Sequence, residues 1–153
     1  MQDVLRVIPD INLLVRALSS RGLPSRLLLH FQRGEIRFVV SADLLAELQR
    51  VLGYPRVLAL GTGITPRAAF GLAVELLTLS EYHPFVERLE WPTLRDPKDW
   101  YLLDLLAATG ADALLTLDKK LLEAGDALSL NVMTLEDFHS EGYLPPLEDP
   151  QLS

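Results

Sequence analysis

The sequence contains no cysteine among its 153 residues. Disulfide bonds, zinc ribbons and cysteine nucleophiles are therefore excluded, and the absence fits a reducing compartment such as the cytoplasm. Histidine is also scarce, with only His30, His83 and His139. These three are far apart and share no spacing, so the sequence indicates neither a zinc-protease helix nor a serine–histidine–aspartate triad.

Long apolar runs are missing as well, although 49% of the residues are hydrophobic. A bilayer span takes about 20 consecutive apolar residues, whereas the runs here last only a few residues, as at positions 27–29. We therefore expect a cytoplasmic protein that does not enter a membrane. Length and apolar fraction are those of one globular domain, which we place at residues 1–142, followed by a proline-containing tail at residues 143–153.

The charges are unevenly distributed along the chain, whose formal net charge is −7. Residues 1–67 hold nine arginines and five acidic residues, whereas residues 68–153 hold five basic and sixteen acidic residues. The overall charge argues against a general nucleic-acid coat protein, but an arginine-rich half leaves room for a local phosphate site. A solvated surface on which basic and acidic residues are unevenly distributed by chance explains the same pattern equally well.

Short apolar runs alternate with helical stretches. The pattern predicts strands at 4–8, 36–40, 85–91, 113–117 and 130–133, and helices at 13–18, 24–34, 41–52, 65–80, 96–110, 119–124 and 134–139. Strands that alternate with helices form βαβ units around a parallel sheet, and their crossovers are right-handed. We therefore predict an α/β fold, a three-layer α/β/α sandwich with a central parallel sheet.

Two aspartates directly follow predicted strands. Asp10 ends the run Val-Ile-Pro-Asp, and Asp118 ends the run Leu-Thr-Leu-Asp. Ligands of open parallel sheets bind beyond the carboxyl ends of the strands, which is where both side chains would lie. One such aspartate is ordinary turn chemistry, but two of them on neighbouring strands weaken that explanation.

Two further acids lie on predicted helices. Glu47 is about 40° around its helix from Val51, at the edge of the apolar stripe, so it projects towards the sheet unless it extends into solvent. Asp99 stands three residues after Asp96, so a capping-box role competes with a role in a site. Asp104 lies about 140° further around the same helix and cannot face the same site as Asp99.

Together these acids would crowd several negative charges at one end of the sheet. Like charges at short range repel strongly in a partly desolvated cleft, and a bound cation relieves the repulsion. Oxygen ligands without histidine or cysteine select Mg²⁺ or Mn²⁺, and such ions suit phosphodiester hydrolysis. The candidate metal ligands and catalytic residues are Asp10, Glu47, Asp99 and Asp118, while Asn12 and Thr116 are candidates for orienting ligands or water.

Several motifs follow one another in a fixed order. They are Val7-Ile8-Pro9-Asp10-Ile11-Asn12, Leu44-Leu45-Ala46-Glu47-Leu48, Arg95-Asp96-Pro97-Lys98-Asp99, Leu115-Thr116-Leu117-Asp118 and Val132-Met133-Thr134-Leu135-Glu136-Asp137-Phe138. In order and spacing they resemble the PIN-domain family over the chain to about residue 140. The most similar group is that of the VapC-like ribonucleases, the toxins of toxin–antitoxin systems.

The resemblance implies a Mg²⁺- or Mn²⁺-dependent ribonuclease that cuts single-stranded or looped RNA. It implies metal-binding roles for the four carboxylates and helper roles for Asn12 and Thr116. It favours Asp99 over Asp104, because the spacing from Asp99 to Asp118 matches the family pattern. A homodimer and a small antitoxin protein that blocks the site are implied as well. Position in the basic half makes three arginines candidates for steering RNA phosphates, namely Arg16, Arg50 and Arg56.

The chain departs from the family pattern near the site, and two other functions stay open. Leu117 stands where a glycine is usual, and Trp100 and Tyr101 stand where polar residues are frequent. Of these, Leu117 and Trp100 would narrow the site. One alternative is a PIN-fold interaction module with little or no activity that binds a protein partner or RNA. The other is phosphotransfer through an aspartyl nucleophile at Asp10, although Asn12 stands where that chemistry usually has a second acid.

Overall fold

The computed structural model describes residues 4–19, 21–53 and 63–146. Within these ranges five strands form one sheet in which every pair of neighbours is parallel, in the order β3-β2-β1-β4-β5. The strands are Leu5–Pro9 (β1), Ile36–Ser41 (β2), Glu81–His83 (β3), Ala113–Leu115 (β4) and Val132–Met133 (β5).

Seven α-helices of the described residues complete the fold. They are Ile11–Ser19 (α1), Leu23–Gln32 (α2), Ala42–Leu52 (α3), Pro66–Leu79 (α4), Trp100–Thr109 (α5), Lys119–Leu128 (α6) and Leu135–Ser140 (α7), and a 3₁₀ turn at Pro97–Asp99 precedes α5. The predicted α/β sandwich with a central parallel sheet is confirmed. None of these helices has the length and the apolar run that crossing a bilayer requires.

Local chemistry sets where several helices begin and end. The Ser41 hydroxyl accepts a hydrogen bond from the Leu44 N–H at 3.1 Å, and the Thr65 hydroxyl accepts one from the Ala68 N–H at 3.1 Å. These contacts satisfy N–H groups that have no partner within the helix, so both predicted helix starts are confirmed. Gly110 ends α5 in the left-handed conformation, with a φ of 62°.

The core lies on both faces of the sheet. The middle of β2 is fully buried over Phe38, Val39 and Val40, and Val7 of β1 is equally inaccessible. Continuous burial is typical of a parallel sheet that is covered by helices on both sides. Phe31 of α2 stacks on Phe38 with 4.2 Å between ring centroids, which fixes α2 against the sheet.

The strand predicted over residues 85–91 is wrong. The edge strand is β3, which ends before Pro84, a residue that has no N–H for a sheet hydrogen bond. Phe85 is 93% exposed, so its apolar character does not reflect a place in the core. Trp91 is held instead by a hydrogen bond from its indole N–H to Asp104 at 2.8 Å.

An arginine on β1 explains why β3 lies at this edge. Arg6 donates two hydrogen bonds to Glu81 of β3, at 2.9 and 2.7 Å, and a third to the carbonyl of Thr109 at 3.1 Å. His83 contacts the same carboxylate at 2.6 Å. The Arg6 hydrogen bonds hold the pKa of Glu81 down at about 2. These contacts cross β2 and attach the edge strand to the centre of the sheet.

The predicted boundary between domain and tail stays a prediction. Leu144, just beyond it, is buried, and Arg26 donates a hydrogen bond to the carbonyl of Pro145 at 2.8 Å. These two contacts attach the first residues of the predicted tail to the body of the fold.

Candidate active site

A cavity of about 720 Å³, here called the acidic cavity, lies at the carboxyl ends of the strands. It opens next to β1 and β4, which are neighbours whose following strands lie on opposite sides of the sheet. Such a topological switch point is where open α/β sheets bind their ligands. The structure brings all four predicted carboxylates to this cavity, namely Asp10, Glu47, Asp99 and Asp118.

Asp10 is the most buried of the four carboxylates, with 7% of its surface exposed. It joins β1 to α1, because its N–H bonds to the Leu115 carbonyl at 2.9 Å and its carbonyl accepts from the Leu13 N–H at 3.1 Å. One carboxylate oxygen accepts the Ile11 N–H at 2.7 Å. Burial raises the pKa of Asp10, and its hydrogen bonds counteract only part of that effect.

Thr116 connects two of the carboxylate residues. Its hydroxyl donates a hydrogen bond to the second oxygen of Asp10 at 2.6 Å and accepts the N–H of Asp118 at 3.0 Å. Thr116 is completely buried after β4, so the hydroxyl has a fixed position. Asp118 caps α6 through the N–H of Lys120 at 2.9 Å, which fixes its carboxylate at the cavity wall. These are the contacts that the orienting role of Thr116 requires, and the role itself stays a prediction.

Glu47 enters the cavity from α3 and is held by Arg50, one turn further along the same helix. The Arg50 guanidinium donates from Nε to one Glu47 oxygen at 2.9 Å and from Nη2 to the other oxygen. This pair holds the pKa of Glu47 below its ordinary value. The side chain of Glu47 is one-third exposed, so it neither packs in the core nor extends freely into solvent.

Asp99 stands at the N-cap position of α5. The N–H of Lys98 bonds to Asp96 at 3.0 Å, whereas the Asp99 carboxylate makes no capping hydrogen bond. The side-chain hydrogen bond that a capping box requires is therefore absent at Asp99. Asp99 lines the acidic cavity together with the other three acids.

The crowding of these acids raises the pKa of one of them. Burial and the neighbouring carboxylates of Asp118, Asp96, Asp10 and Glu47 raise the pKa of Asp99 to about 6. A carboxyl with that pKa carries a proton part of the time near neutral pH, because its ionised form is repelled by its neighbours. A divalent cation would remove this repulsion.

The donor set fits a hard divalent cation in its chemistry. All four side chains offer carboxylate oxygens, the ligands that Mg²⁺ and Mn²⁺ prefer. Within residues 4–19, 21–53 and 63–146, no three acidic or histidine side chains are yet arranged to hold an ion. Both oxygens of Glu47 accept hydrogen bonds from Arg50.

A comparison with known families identifies the fold around this cavity. The family profile described as PIN domain matches residues 6–120, which is well over half of the chain. The chain belongs to the PIN-domain family. PIN domains are generally nucleases, that is, hydrolases, and they typically use divalent metals. No curated protein matches the chain at a significant level.

Within this PIN domain, Asp104 is separate from the acidic cavity. It is 6% exposed and accepts hydrogen bonds from the Leu89 N–H at 3.0 Å and from the indole of Trp91. It lines a second cavity on the other side of Tyr101, as the helical angle between it and Asp99 predicts. Its carboxylate positions the segment before the 3₁₀ turn.

The other predicted site residues divide between the two cavities. Asn12, Arg16, Arg50 and Leu117 line the acidic cavity. The narrowing expected from Leu117 stays a prediction. Trp100 lines the second cavity, not the acidic one. Arg56 lies outside the described residues.

Sequence reasoning missed Lys98, which lines the acidic cavity, and noted Tyr101, which also lines it, only as a departure from the family pattern. For Lys98 the only indication in the sequence was its position next to Asp99. Burial and the carboxylates of Asp10 and Glu47 raise the pKa of Tyr101, so its hydroxyl stays protonated and can donate a hydrogen bond.

Proposed function

We propose that this PIN domain is an endoribonuclease that uses Mg²⁺ or Mn²⁺ to hydrolyse phosphodiester bonds of RNA, and that it acts as the toxin of a toxin–antitoxin pair. One observation carries the hydrolase part of the proposal. Four carboxylates that are far apart in sequence, Asp10, Glu47, Asp99 and Asp118, line one cavity at the switch point of the sheet.

The four carboxylates would hold the ion, with Thr116 keeping Asp10 and the Asp118 backbone in place. When bound, a divalent cation supplies Lewis-acid stabilisation of the negative charge that develops on the phosphate. In the reaction a water oxygen attacks phosphorus and the bond to the leaving ribose oxygen breaks. A carboxylate of the set accepts the proton of the attacking water, and the leaving ribose oxygen takes up a proton from solvent.

Cationic and hydroxyl side chains of the same cavity would position the RNA backbone. Arg16, Arg50 and Lys98 line its wall and supply positive charge for the phosphates. The protonated Tyr101 hydroxyl would donate a hydrogen bond to an anionic phosphate oxygen. Phosphate contacts of this kind position a strand without reading its sequence.

Incubation of a mixed RNA pool with purified protein tests the proposal. We expect cleavage with Mg²⁺ or Mn²⁺, loss of cleavage with EDTA, and recovery when the metal is added back. A catalytic role also requires that Asp10→Asn, an isosteric change, abolishes cleavage while thermal unfolding stays cooperative. Cleavage that resists EDTA and survives Asp10→Asn would refute the proposal.

The toxin role needs its own test in cells. Induced expression of the chain alone should arrest bacterial growth, and expression of the Asp10→Asn variant at equal level should not. A small antitoxin, encoded as a separate chain, would relieve the arrest. Equal growth with both forms, despite cleavage in vitro, would leave a nuclease that is not a toxin.

We also propose that a second copy of the chain is a partner. A groove of about 480 Å³ lies between α3 and α4, and none of the described residues that line it is charged. Along α4, Phe70, Val74 and Leu77 expose apolar surface at helical spacing. A two-fold interface sets one patch against itself. Two copies of a protein whose net charge is −7 repel each other, so the patch through which they associate should carry no charge.

One observation favours the alternative of an interaction module that cuts slowly or not at all. Arg50 occupies both oxygens of Glu47, so the carboxylates are not assembled for a metal as they stand. Under that alternative, Asp10→Asn would leave binding of RNA or of a protein partner unchanged, and no metal would induce cleavage.

A further inference from the structure

A second cavity, of about 510 Å³, adjoins the acidic cavity. Four residues line both cavities and form the wall between them, namely Glu47, Arg50, Lys98 and Tyr101. The inference drawn from this cavity rests on the proposed function, since a strand cut at the acidic cavity must continue into space beside it. The second cavity provides that space.

The second cavity differs from the first in the charge it offers. The charge of Glu47 is offset by Arg50, whereas Asp104 accepts hydrogen bonds from two neutral donors, the Leu89 N–H and the Trp91 indole. Lys98 and Arg88 line the cavity at exposed positions.

Neither Lys98 nor Arg88 forms an ion pair with any residue in the described part of the chain. With Arg50, the second cavity has three basic side chains against the three acids Asp43, Glu47 and Asp104. The acidic cavity has five acids against three basic side chains. A phosphate is therefore attracted more strongly here than among the crowded carboxylates next door.

An aromatic side chain completes the cavity. The indole N–H of Trp100 donates a hydrogen bond to the Leu94 carbonyl at 2.7 Å, which fixes the ring, and the side chain is only partly buried. Leu89 and Pro97 line the cavity beside it. A fixed aromatic ring next to cationic side chains is the combination with which proteins bind single-stranded nucleic acids.

We propose that the second cavity binds a nucleotide of the RNA strand adjacent to the phosphate that is cut. Lys98 and Arg88 contact its phosphates, and its base stacks against Trp100. Stacking tolerates any base, so this site adds affinity and sets the path of the strand without strong sequence preference. Trp100, at which the chain departs from the family pattern, thereby gains a role in substrate binding.

Binding of a fluorescent single-stranded RNA of about 12 nucleotides tests the proposal. The Asp10→Asn protein is used so that the RNA stays intact. We expect Arg88→Gln to weaken RNA binding about 5-fold. The slope of log K against log salt concentration should fall by about the value of one phosphate contact. Arg33→Gln is the matched control, because Arg33 is exposed and lines neither cavity, and it should bind like the parent.

Tryptophan fluorescence reports the stacking directly, since the chain has two tryptophans. RNA should quench the fluorescence of the Trp91→Phe protein, in which Trp100 is the remaining tryptophan. It should not quench the Trp100→Leu protein, whose affinity should fall about 5-fold or more. Thermal unfolding of both variants checks that they are folded.

The outcomes separate this inference from the proposed function. Suppose that the native protein cleaves RNA and that Arg88→Gln and Trp100→Leu bind RNA as tightly as the parent. This result overturns the nucleotide site but keeps the proposed nuclease activity. RNA binding that depends on both residues without any cleavage supports the site and refutes the nuclease. Quenching by a polyglutamate peptide and not by RNA assigns the cavity to an acidic protein partner and overturns the proposal.

Discussion

Arg50 binds Glu47 through both of its carboxylate oxygens, within the cavity where the three other candidate carboxylates lie. The arginine thus supplies to Glu47 the positive charge that a metal ion would otherwise supply. We therefore expect metal binding through Glu47 to compete with its pairing to Arg50. Once displaced, its guanidinium is next to the position proposed for the RNA phosphate.

Removal of this arginine should therefore strengthen metal binding. An exposed ion pair contributes about 0.2–1 kcal/mol, so Arg50→Gln should bind Mn²⁺ up to about 5-fold more tightly in calorimetric titration. Lys98→Gln is the control, because Lys98 acts on Glu47 through its charge without an ion pair. Equal affinity of Arg50→Gln and the native protein, or a gain no larger than that of Lys98→Gln, contradicts the competition.

Asp99 should make metal binding depend on pH. Its pKa is raised to about 6 in the folded protein, from an ordinary value of 3.8, so its ionised form is disfavoured by folding. Stability contributed by its neutral form is present at low pH and lost as pH rises through about 6. A cation needs the ionised form, so Mn²⁺ should raise the Tm more at about pH 7.5 than at about pH 5.

The Asp99→Asn variant supplies the control for that measurement. Without the titrating group, the stabilisation by Mn²⁺ should be small at both pH values. A Tm increase that is the same at both pH values in the native protein would show that Asp99 does not take part in metal binding.

Thr116 should matter through its hydroxyl alone. Thr116→Val leaves a buried oxygen of Asp10 and the N–H of Asp118 without their partner, which costs about 1–3 kcal/mol in the free energy of unfolding. We expect RNA cleavage to fall about 10- to 100-fold, as for other residues that orient metal ligands. Thr116→Ser keeps the hydroxyl and should restore most activity. Failure of serine to rescue would indicate that the methyl group, and thus packing, is what matters.

The Arg6–Glu81 pair should support stability without affecting the site. Glu81→Gln is expected to lower the free energy of unfolding by about 1 kcal/mol at neutral pH. Folding lowers the pKa of Glu81 from 4.5 to about 2, so its contribution is present above 4.5 and disappears as pH falls towards 2. Urea unfolding at neutral and acidic pH measures this. Cleavage should be unchanged, because Arg6 precedes Asp10 by about 13 Å of strand.

The apolar face of α4 should determine the oligomeric state. Light scattering coupled to size-exclusion chromatography should give a dimer for the native protein and a monomer for Phe70→Asp, because a charge in the proposed interface is desolvated without a partner. Phe85→Asp is the control, since Phe85 is also exposed but lies outside the α3–α4 groove. A native monomer, or equal effects of both variants, contradicts the interface.

Local chemistry explains which parts of the fold the sequence predicted. Ser41 and Thr65 accept the N–H bonds that start their helices, and Gly110 adopts the conformation that ends one. These features depend on neighbours a few residues away. The parallel sheet followed from the alternation of strands and helices, and the sheet then brought Asp10 and Asp118 to adjacent strand ends.

The errors and omissions come from contacts between distant residues. β3 is only three residues long and is attached by Arg6, which is 75 positions away. Pro97–Asp99 form a 3₁₀ turn, in which Asp99 makes no capping hydrogen bond and Lys98 lines the acidic cavity. Nothing in the local sequence shows that α3 faces this turn and so encloses the second cavity.

Cleavage by four isosteric variants tests the central claim most directly. Asp10→Asn, Glu47→Gln, Asp99→Asn and Asp118→Asn are compared with Asp104→Asn on one RNA substrate with Mn²⁺, after thermal unfolding confirms that each is folded. If the acidic cavity is the site, each of the four loses at least about 100-fold in rate, while Asp104→Asn, which keeps an oxygen for its two hydrogen bonds, stays near the native rate. If all variants are folded and the four cavity variants cleave RNA as fast as Asp104→Asn, the acidic cavity is not the active site.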